Sequence, residues 1–253
     1  MTGVRVVTFN TAAGNPRITT PQAAFLELPF YRAALDGAPD APILALQEVG
    51  DAQAAALRRS GACVLQKRRP GLGNALVIPP RYALLASRRR YFVVPQLRGI
   101  VDGVTLWAGR RVRPNWRQFG ELRMWIEARL RDRDTGRVFT IFNTHLSVEP
   151  SLKLHQAASI VARARAAALH GPVILAGDLN VPSGRARGRD VPVAELLGQL
   201  RDMGGAKPAK RPNIDYVLAL GFEPASSRIW ATDELGGIVS DHDPEDDVLR
   251  FSA

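Results

Sequence analysis

The chain of 253 residues contains one cysteine, Cys63, so no intramolecular disulfide and no cysteine-based zinc cluster can be assembled from it. Its redox compartment is therefore left open. No apolar run approaches the length of a membrane span. The first residues, Met1-Thr2-Gly3-Val4-Arg5-Val6-Val7-Thr8-Phe9-Asn10, lack a basic leader followed by an apolar stretch. These absences predict a soluble chain, cytoplasmic first and secreted after loss of a leader as the alternative. Internal repeats and low-complexity tracts are missing as well, which excludes repeat architectures.

What is present is a 46% hydrophobic composition, enough for a sizeable core, and the expectation is one α/β domain over residues 1–253. The net charge is +10 and the pI near 10.7, but the excess is uneven. Residues 51–120 hold 14 Arg and Lys against only Asp51 and Asp102, whereas Trp230 to Ala253 carries seven acids and one Arg. A basic surface attracts polyanions such as nucleic acid or anionic phospholipid through counterion release. The same residues would equally serve as a solvated face. Nothing in the pattern suggests a protein partner, and a monomer is expected.

Short β-branched or aliphatic runs recur, each ending in a polar cluster. Val4 to Phe9 ends at Asn10, Ile43 to Leu46 at Gln47-Glu48, Val138 to Phe142 at Asn143-Thr144-His145, and Val173 to Ala176 at Gly177-Asp178-Leu179-Asn180. Their lengths and β-branched content predict strands. Strand ends that deliver polar side chains in this way build a site along one sheet edge. Helices are predicted over Pro21 to Leu35, Ala52 to Arg59, Leu152 to Leu169 and Val193 to Arg201, and a loop over Lys207 to Pro212.

Several of these residues could carry chemistry. Asp178 could orient a water while Asn180 donates to a phosphoryl oxygen, although Gly-Asp-x-Asn is also an ordinary turn composition. Asp215 lies inside the apolar run Ile214 to Leu218, where a carboxylate is costly unless partnered. An imidazole N–H is a natural partner, so Asp215 is paired with His242 of Ser240-Asp241-His242. Glu48 suits a Mg²⁺ ion, its competing reading being a helix N-terminal acid. His145 could hydrogen-bond a leaving oxygen or be a structural residue at a strand end.

In order, Thr8-Phe9-Asn10, Leu46-Gln47-Glu48-Val49, Asn143-Thr144-His145-Leu146, Gly177-Asp178-Leu179-Asn180, Ile214-Asp215-Tyr216-Val217 and Ser240-Asp241-His242 closely resemble the motifs of the endonuclease/exonuclease/phosphatase superfamily. The resemblance runs from residue 8 to residue 242. It implies a four-layer α/β sandwich, two mixed β-sheets packed face to face with helices outside, and the site at one end. It further implies Mg²⁺ or Mn²⁺ bound by Asn10 and Glu48, with Asp241 contributing directly or through water. Asp178 would activate water, Asn180 would hold phosphate, His242 oriented by Asp215 would stabilise the transition state, and His145 would contact phosphate or leaving group. Arg123, and Asn74 in Gly73-Asn74-Ala75-Leu76, match less regular positions that touch substrate.

Ala12 stands where apurinic-site endonucleases usually have an acid, and Asn-Thr-His-Leu replaces their Tyr and Asn motif. Dedicated abasic-site repair is thereby disfavoured. Among the remaining activities the basic segment favours a nuclease. A phospholipid or small-molecule phosphodiesterase or phosphatase of the same superfamily, sphingomyelinase-like with Trp107 or Trp116 at a membrane, is the alternative, and a non-catalytic binding module is a third. Arg88, Arg89, Arg90, Arg110, Arg111, Arg113 and Arg117 place seven guanidinium groups in two short pieces of chain. If the second piece contacts phosphates, changing Arg110, Arg111 and Arg113 jointly to Ala should flatten the salt dependence of DNA affinity. The expected change in slope is up to roughly 0.9 per lost contact on duplex. An unchanged slope would remove this segment from the substrate surface.

Overall fold

The computed structural model describes residues 3–12, 22–68, 73–92, 123–182, 186–204, 214–231, 235 and 240–252. Period-two alternation turns the aliphatic runs into strands with two different faces. One sheet contains β1 (Gly3–Asn10), β2 (Ile43–Gln47), β3 (Cys63–Arg68), β4 (Gly73–Ile78), β11 (Phe222–Ile229) and β12 (Glu245–Phe251). Its strand order is β11-β12-β1-β2-β4-β3. The other contains β5 (Tyr82–Tyr91), β6 (Met124–Asp132), β7 (Val138–His145), β8 (Val173–Asp178), β9 (Arg201–Asp202) and β10 (Asp215–Leu220), in the order β5-β6-β7-β8-β10-β9. In each sheet one parallel pair, β1 with β2 and β7 with β8, sits among antiparallel neighbours.

The helices are α1 (Pro29–Asp36), α2 (Asp51–Arg59), α3 (Pro150–Ala168) and α4 (Val191–Leu197). The single helix predicted over Pro21 to Leu35 is instead a 3-10 turn, Gln22–Glu27, followed by α1. Pro29 is the reason: it disfavours helical geometry at the residue before it, and Leu28 is extended, with φ −60° and ψ 139°. The helix predicted to reach Arg201 stops at Leu197 beside Gly198, and Arg201 joins β9. The predicted loop from Lys207 to Pro212 and the arginines Arg110, Arg111 and Arg113, with Trp107 and Trp116, lie outside the described residues. No described helix is long and apolar enough to cross a membrane.

Three apolar clusters define four layers, matching the sandwich that the motifs implied. Val4, Val6, Ile43, Leu76, Ile126, Leu130, Ile141, Ile174, Val217 and Leu249 fill the space between the sheets. Val7, Phe9, Leu44, Leu46 and Val77 pack the outer face of the first sheet on Phe30, Tyr31 and Leu57 of α1 and α2. Phe142, Val173 and Leu175 do the same for the second sheet against Ile160, Val161, Val193 and Leu197 of α3 and α4.

At one end of the sandwich the inward-facing register changes from apolar to polar. Val4 and Val6 give way to Thr8 and Asn10 on β1, Ile43 and Ala45 to Gln47 on β2, Ile141 to Asn143 and His145 on β7, and Ala176 to Asp178 on β8. Antiparallel β10 reaches the same end with its first residue, Asp215. These polar groups are buried, so they must satisfy one another. Gln47 donates from Nε2 to Asn143 Oδ1 at 2.8 Å, and Asn143 donates from Nδ2 to the carbonyls of Leu46 and Ala75 at 3.0 and 2.8 Å. Asn143 thus ties the second sheet to two strands of the first. Replacing it by Ala deletes three buried hydrogen bonds and should lower unfolding stability by about 2–4 kcal/mol in urea titration; a loss under about 0.5 kcal/mol would show that the amide does not key the sheets together.

Candidate active site

Asp178 stands at the centre of the polar end, 1% exposed. Its Oδ2 accepts a hydrogen bond from Asn10 Nδ2 at 2.9 Å and lies 3.3 Å from His145 Nε2 and 3.8 Å from His242 Nε2. Its Oδ1 accepts from the Asn180 backbone N–H at 3.0 Å. The parallel pairing of β7 and β8 sets His145 beside Asp178 and Thr144 beside Gly177. Gly177 has φ +147°, and a Cβ there would come within 2.0 Å of the Thr144 carbonyl oxygen, so only glycine lets the strands approach this closely.

His242 reaches Asp178 from the opposite sheet's connection and is held from behind. Its Nδ1 lies 2.7 Å from Asp215 Oδ2, while its backbone N–H donates to Ser240 Oγ at 3.1 Å. Ser240 in turn donates to the Asn10 carbonyl at 2.7 Å, coupling the His242 segment to the end of β1. Burial pulls the His242 imidazole towards neutrality, but the hydrogen bond and charge of Asp215 outweigh it and raise its pKa to about 9. That shift favours the protonated ring, whose Nε2 is turned to the site, 3.8 Å from Asp178 Oδ2. Burial, then the charge of Asp215, pushes the Asp178 carboxyl up to about 7, opposed by His242 and by the hydrogen bonds from Asn10 and Asn180.

Three described non-glycine residues have positive φ, namely Ala12 (46°), Glu48 (51°) and Asn180 (52°), and each adjoins this cluster. The left-handed region costs an L-residue roughly 1–2 kcal/mol, so packing must hold these positions in place. Asn180 is fixed three ways: Nδ2 donates to the Leu146 carbonyl at 2.9 Å, N–H to Asp178, and the carbonyl accepts from Lys153 Nζ at 2.6 Å. Lys153 is buried on α3 and also bonds Asp190 at 2.7 Å. The sequence reading missed Lys153, whose one signal is a lysine on the apolar face of a helix.

Glu48 follows β2 half-buried, with Oε1 3.9 Å from His145 Nδ1. Asn10 Oδ1 accepts from the Ala12 N–H at 3.0 Å and keeps a second lone pair. An amide oxygen and a carboxylate at neighbouring strand ends fit a hard divalent cation. Asp178, Asp215 and His242 also bring ligand atoms within 4.8 Å of one another, but His242 Nδ1 and Asp215 Oδ2 are engaged with each other at 2.7 Å and Asp178 Oδ2 accepts from Asn10. The oxygens of Asn10 and Glu48 therefore suit the ion better.

The structure thus brings together Asn10, Glu48, His145, Asp178, Asn180, Asp215 and His242. Asp241 adjoins them in sequence but is exposed, and its charge helps to raise the His242 pKa. Asn74 is buried and bonds the Met124 carbonyl at 3.0 Å, tying β4 to β6 across the sheets. Arg123 immediately precedes β6 and accepts from the Phe92 N–H through its carbonyl at 3.1 Å.

No curated protein matches the sequence. Solved structures match the fold. An endonuclease/exonuclease/phosphatase from Bacteroides vulgatus superimposes with a TM-score of 0.75 at 19% identity, over 100% of both chains. D. rerio TDP2 complexed with single strand DNA product gives 0.68 at 14% identity, covering 99% of this chain and 100% of that one. A mannosyl-6-phosphatase from Bacteroides thetaiotaomicron gives 0.64 at 15% identity, covering 98% and 100%. Hydrolases of the endonuclease/exonuclease/phosphatase family act on phosphoester bonds and generally use divalent metals. A model of the Endonuclease/Exonuclease/phosphatase family matches residues 7–242, nearly the whole chain, and the protein belongs to that family.

Proposed function

We propose that this protein hydrolyses phosphodiester bonds in nucleic acid with the help of Mg²⁺ or Mn²⁺. The observation that carries the chemistry is the buried Asp178 carboxyl group facing His242, whose ring is held through Nδ1 by Asp215. In-line displacement at phosphorus needs an oriented water on one side and positive charge around the phosphoryl oxygens. Asp178, with its pKa near 7, takes the proton of the attacking water at a pH where both of its protonation states are accessible. His242 donates from Nε2 to a phosphoryl oxygen, and Asp215 fixes the ring so that this N–H faces the site. Asn180 presents its remaining amide N–H to the phosphate, and His145 contacts the phosphate or the leaving oxygen. Arg123 and Asn74 border the substrate.

Asn10 and Glu48, with Asp241 joining directly or through water, would hold a divalent cation, which would supply Lewis-acid polarisation of a phosphoryl oxygen. Nucleic acid is supported by the excess of Arg and Lys in residues 51–120 and by the resemblance to TDP2 bound to single strand DNA. The resemblance to a mannosyl-6-phosphatase favours a second reading, a small phosphate ester. A panel of plasmid DNA, single-stranded DNA, RNA, sphingomyelin, a sugar phosphate and bis-p-nitrophenyl phosphate, each with Mg²⁺, Mn²⁺ or EDTA, separates these substrates.

Metal removal is the first prediction. Activity should vanish in EDTA, and Glu48→Gln should raise the metal concentration needed for half activity while leaving the melting temperature near wild type, because the isosteric amide lacks the ligand charge. Full turnover in EDTA would sink the metal assignment. The second concerns kcat. Asp178→Asn and His242→Ala should each lower it by orders of magnitude with little change in substrate affinity, since both act on the transition state. Retention of more than about a tenth of wild-type kcat, a barrier change under roughly 1.4 kcal/mol, would show that the residue's role is misassigned.

A further inference from the structure

The outer face of the second sheet is covered unevenly. Helix α3 packs over β7 and β8, through Ile160 and Val161 against Phe142, Val173 and Leu175, and among the described residues it leaves the β5–β6 half open except at Trp125, which joins that cluster. Alternation places Arg88 and Arg90 of β5, and Arg129 and Arg131 of β6, on this open face, and all four are exposed. Between it and α3 runs a groove of about 430 Å³, lined by Arg88, Glu127, Arg129, Thr140, Arg163 and His170 among others. Glu127 is the one carboxylate among those lining residues, and it is already engaged: Arg163 donates to its Oε2 from Nε at 2.8 Å, with Nη2 also 2.8 Å away. Arg163 is held there by stacking over Trp125, its guanidinium 5.0 Å from the ring centroid.

Among the described residues lining the groove, the face therefore carries positive charge that no further acid balances. Its direction also matters. Arg90 pairs with Trp125, one residue from Met124, and the Met124 carbonyl accepts from both Asn74 and Thr144 at the polar end of the sandwich. From Trp125 to Arg131 the strand runs six residues away from that end, roughly 20 Å at about 3.4 Å per residue. We propose that this basic groove is an extended binding surface on which a nucleic-acid strand lays its phosphate backbone as it leaves the catalytic end. Charge complementarity selects the ligand: a row of guanidinium groups spaced along paired strands suits a regularly charged polymer. The inference rests on the nucleic-acid reading of the active site and adds a surface remote from its chemistry.

The test uses Arg129→Thr together with Arg131→Thr, exposed positions on β6 where a β-branched residue keeps the strand. Affinity for oligothymidine is measured against salt with Ca²⁺ replacing the catalytic metal, for an oligomer long enough to reach the far end of the groove and for one confined to the catalytic end. For the long oligomer the slope of log affinity against log salt should fall by up to about 0.7 per lost contact. The short oligomer and the hydrolysis of bis-p-nitrophenyl phosphate should be unchanged. Equal slopes in wild type and variant, with the wild type binding the long oligomer, would overturn the groove and leave the nucleic-acid reading standing. Wild type that hydrolyses bis-p-nitrophenyl phosphate but binds no oligomer would overturn both. Loss of binding to phosphatidylserine vesicles, with oligomer binding intact, would assign the face to a membrane instead and reject the proposal.

Discussion

A carboxylate that is 1% exposed dictates the arrangement around it. Removing a charge from water costs several kcal/mol unless hydrogen bonds and opposite charge replace the solvent. Asp178 receives that replacement from four directions: the Asn10 amide, the Asn180 N–H, His145 and His242. These groups come from β1, the turn after β8, the end of β7 and the segment before β12, so the carboxylate can be satisfied only when both sheets are in place. Folding and assembly of the site are therefore one event. Asp215 adds a second buried negative charge and, through His242, the positive charge that makes the pair tolerable.

The same requirement explains why the space between the sheets is not apolar throughout. Asn143 and Gln47 bridge the sheets just below the site, so the last apolar layer is followed by a hydrogen-bonded layer and then by the reactive groups. A buried amide network fixes register more sharply than packing alone, because a slip leaves donors unpaired. The left-handed backbone at Ala12, Glu48 and Asn180 is stored at the same end, where the chain must turn abruptly to present side chains inward.

Charge is distributed on a different principle. The acidic tail of the sequence divides between surface and interior: Asp241 and Asp243 are exposed, whereas Glu245, Asp246 and Asp247 are buried in β12. Asp246 is bound by Arg5 through two contacts of 2.9 and 2.7 Å and by Trp230 at 3.1 Å. Arg5 goes in with Asp246, its side chain 22% exposed, and Arg81 likewise accompanies Asp132, at 9%.

The sequence alone determined a good deal. Runs such as Val4 to Phe9 and Val173 to Ala176 announce strands because β-branched residues and abrupt polar endings are local properties, and the order of the polar endings carried the family and with it the four-layer sandwich. The cost of a lone carboxylate in an apolar run was enough to seek an imidazole for Asp215. Other features were decided only in three dimensions. The break at Leu28 turned on what Pro29 does to its neighbour against a continuous apolar pattern. Lys153 on α3, Ser240 under Asn10 and the Asn143–Gln47 bridge join residues far apart in the chain, and no local pattern distinguishes them from ordinary polar positions. Likewise, which arginines lie on an open face depends on strand alternation and on where α3 packs, so only the tertiary structure separates Arg129 and Arg131 from the arginines that pair with acids.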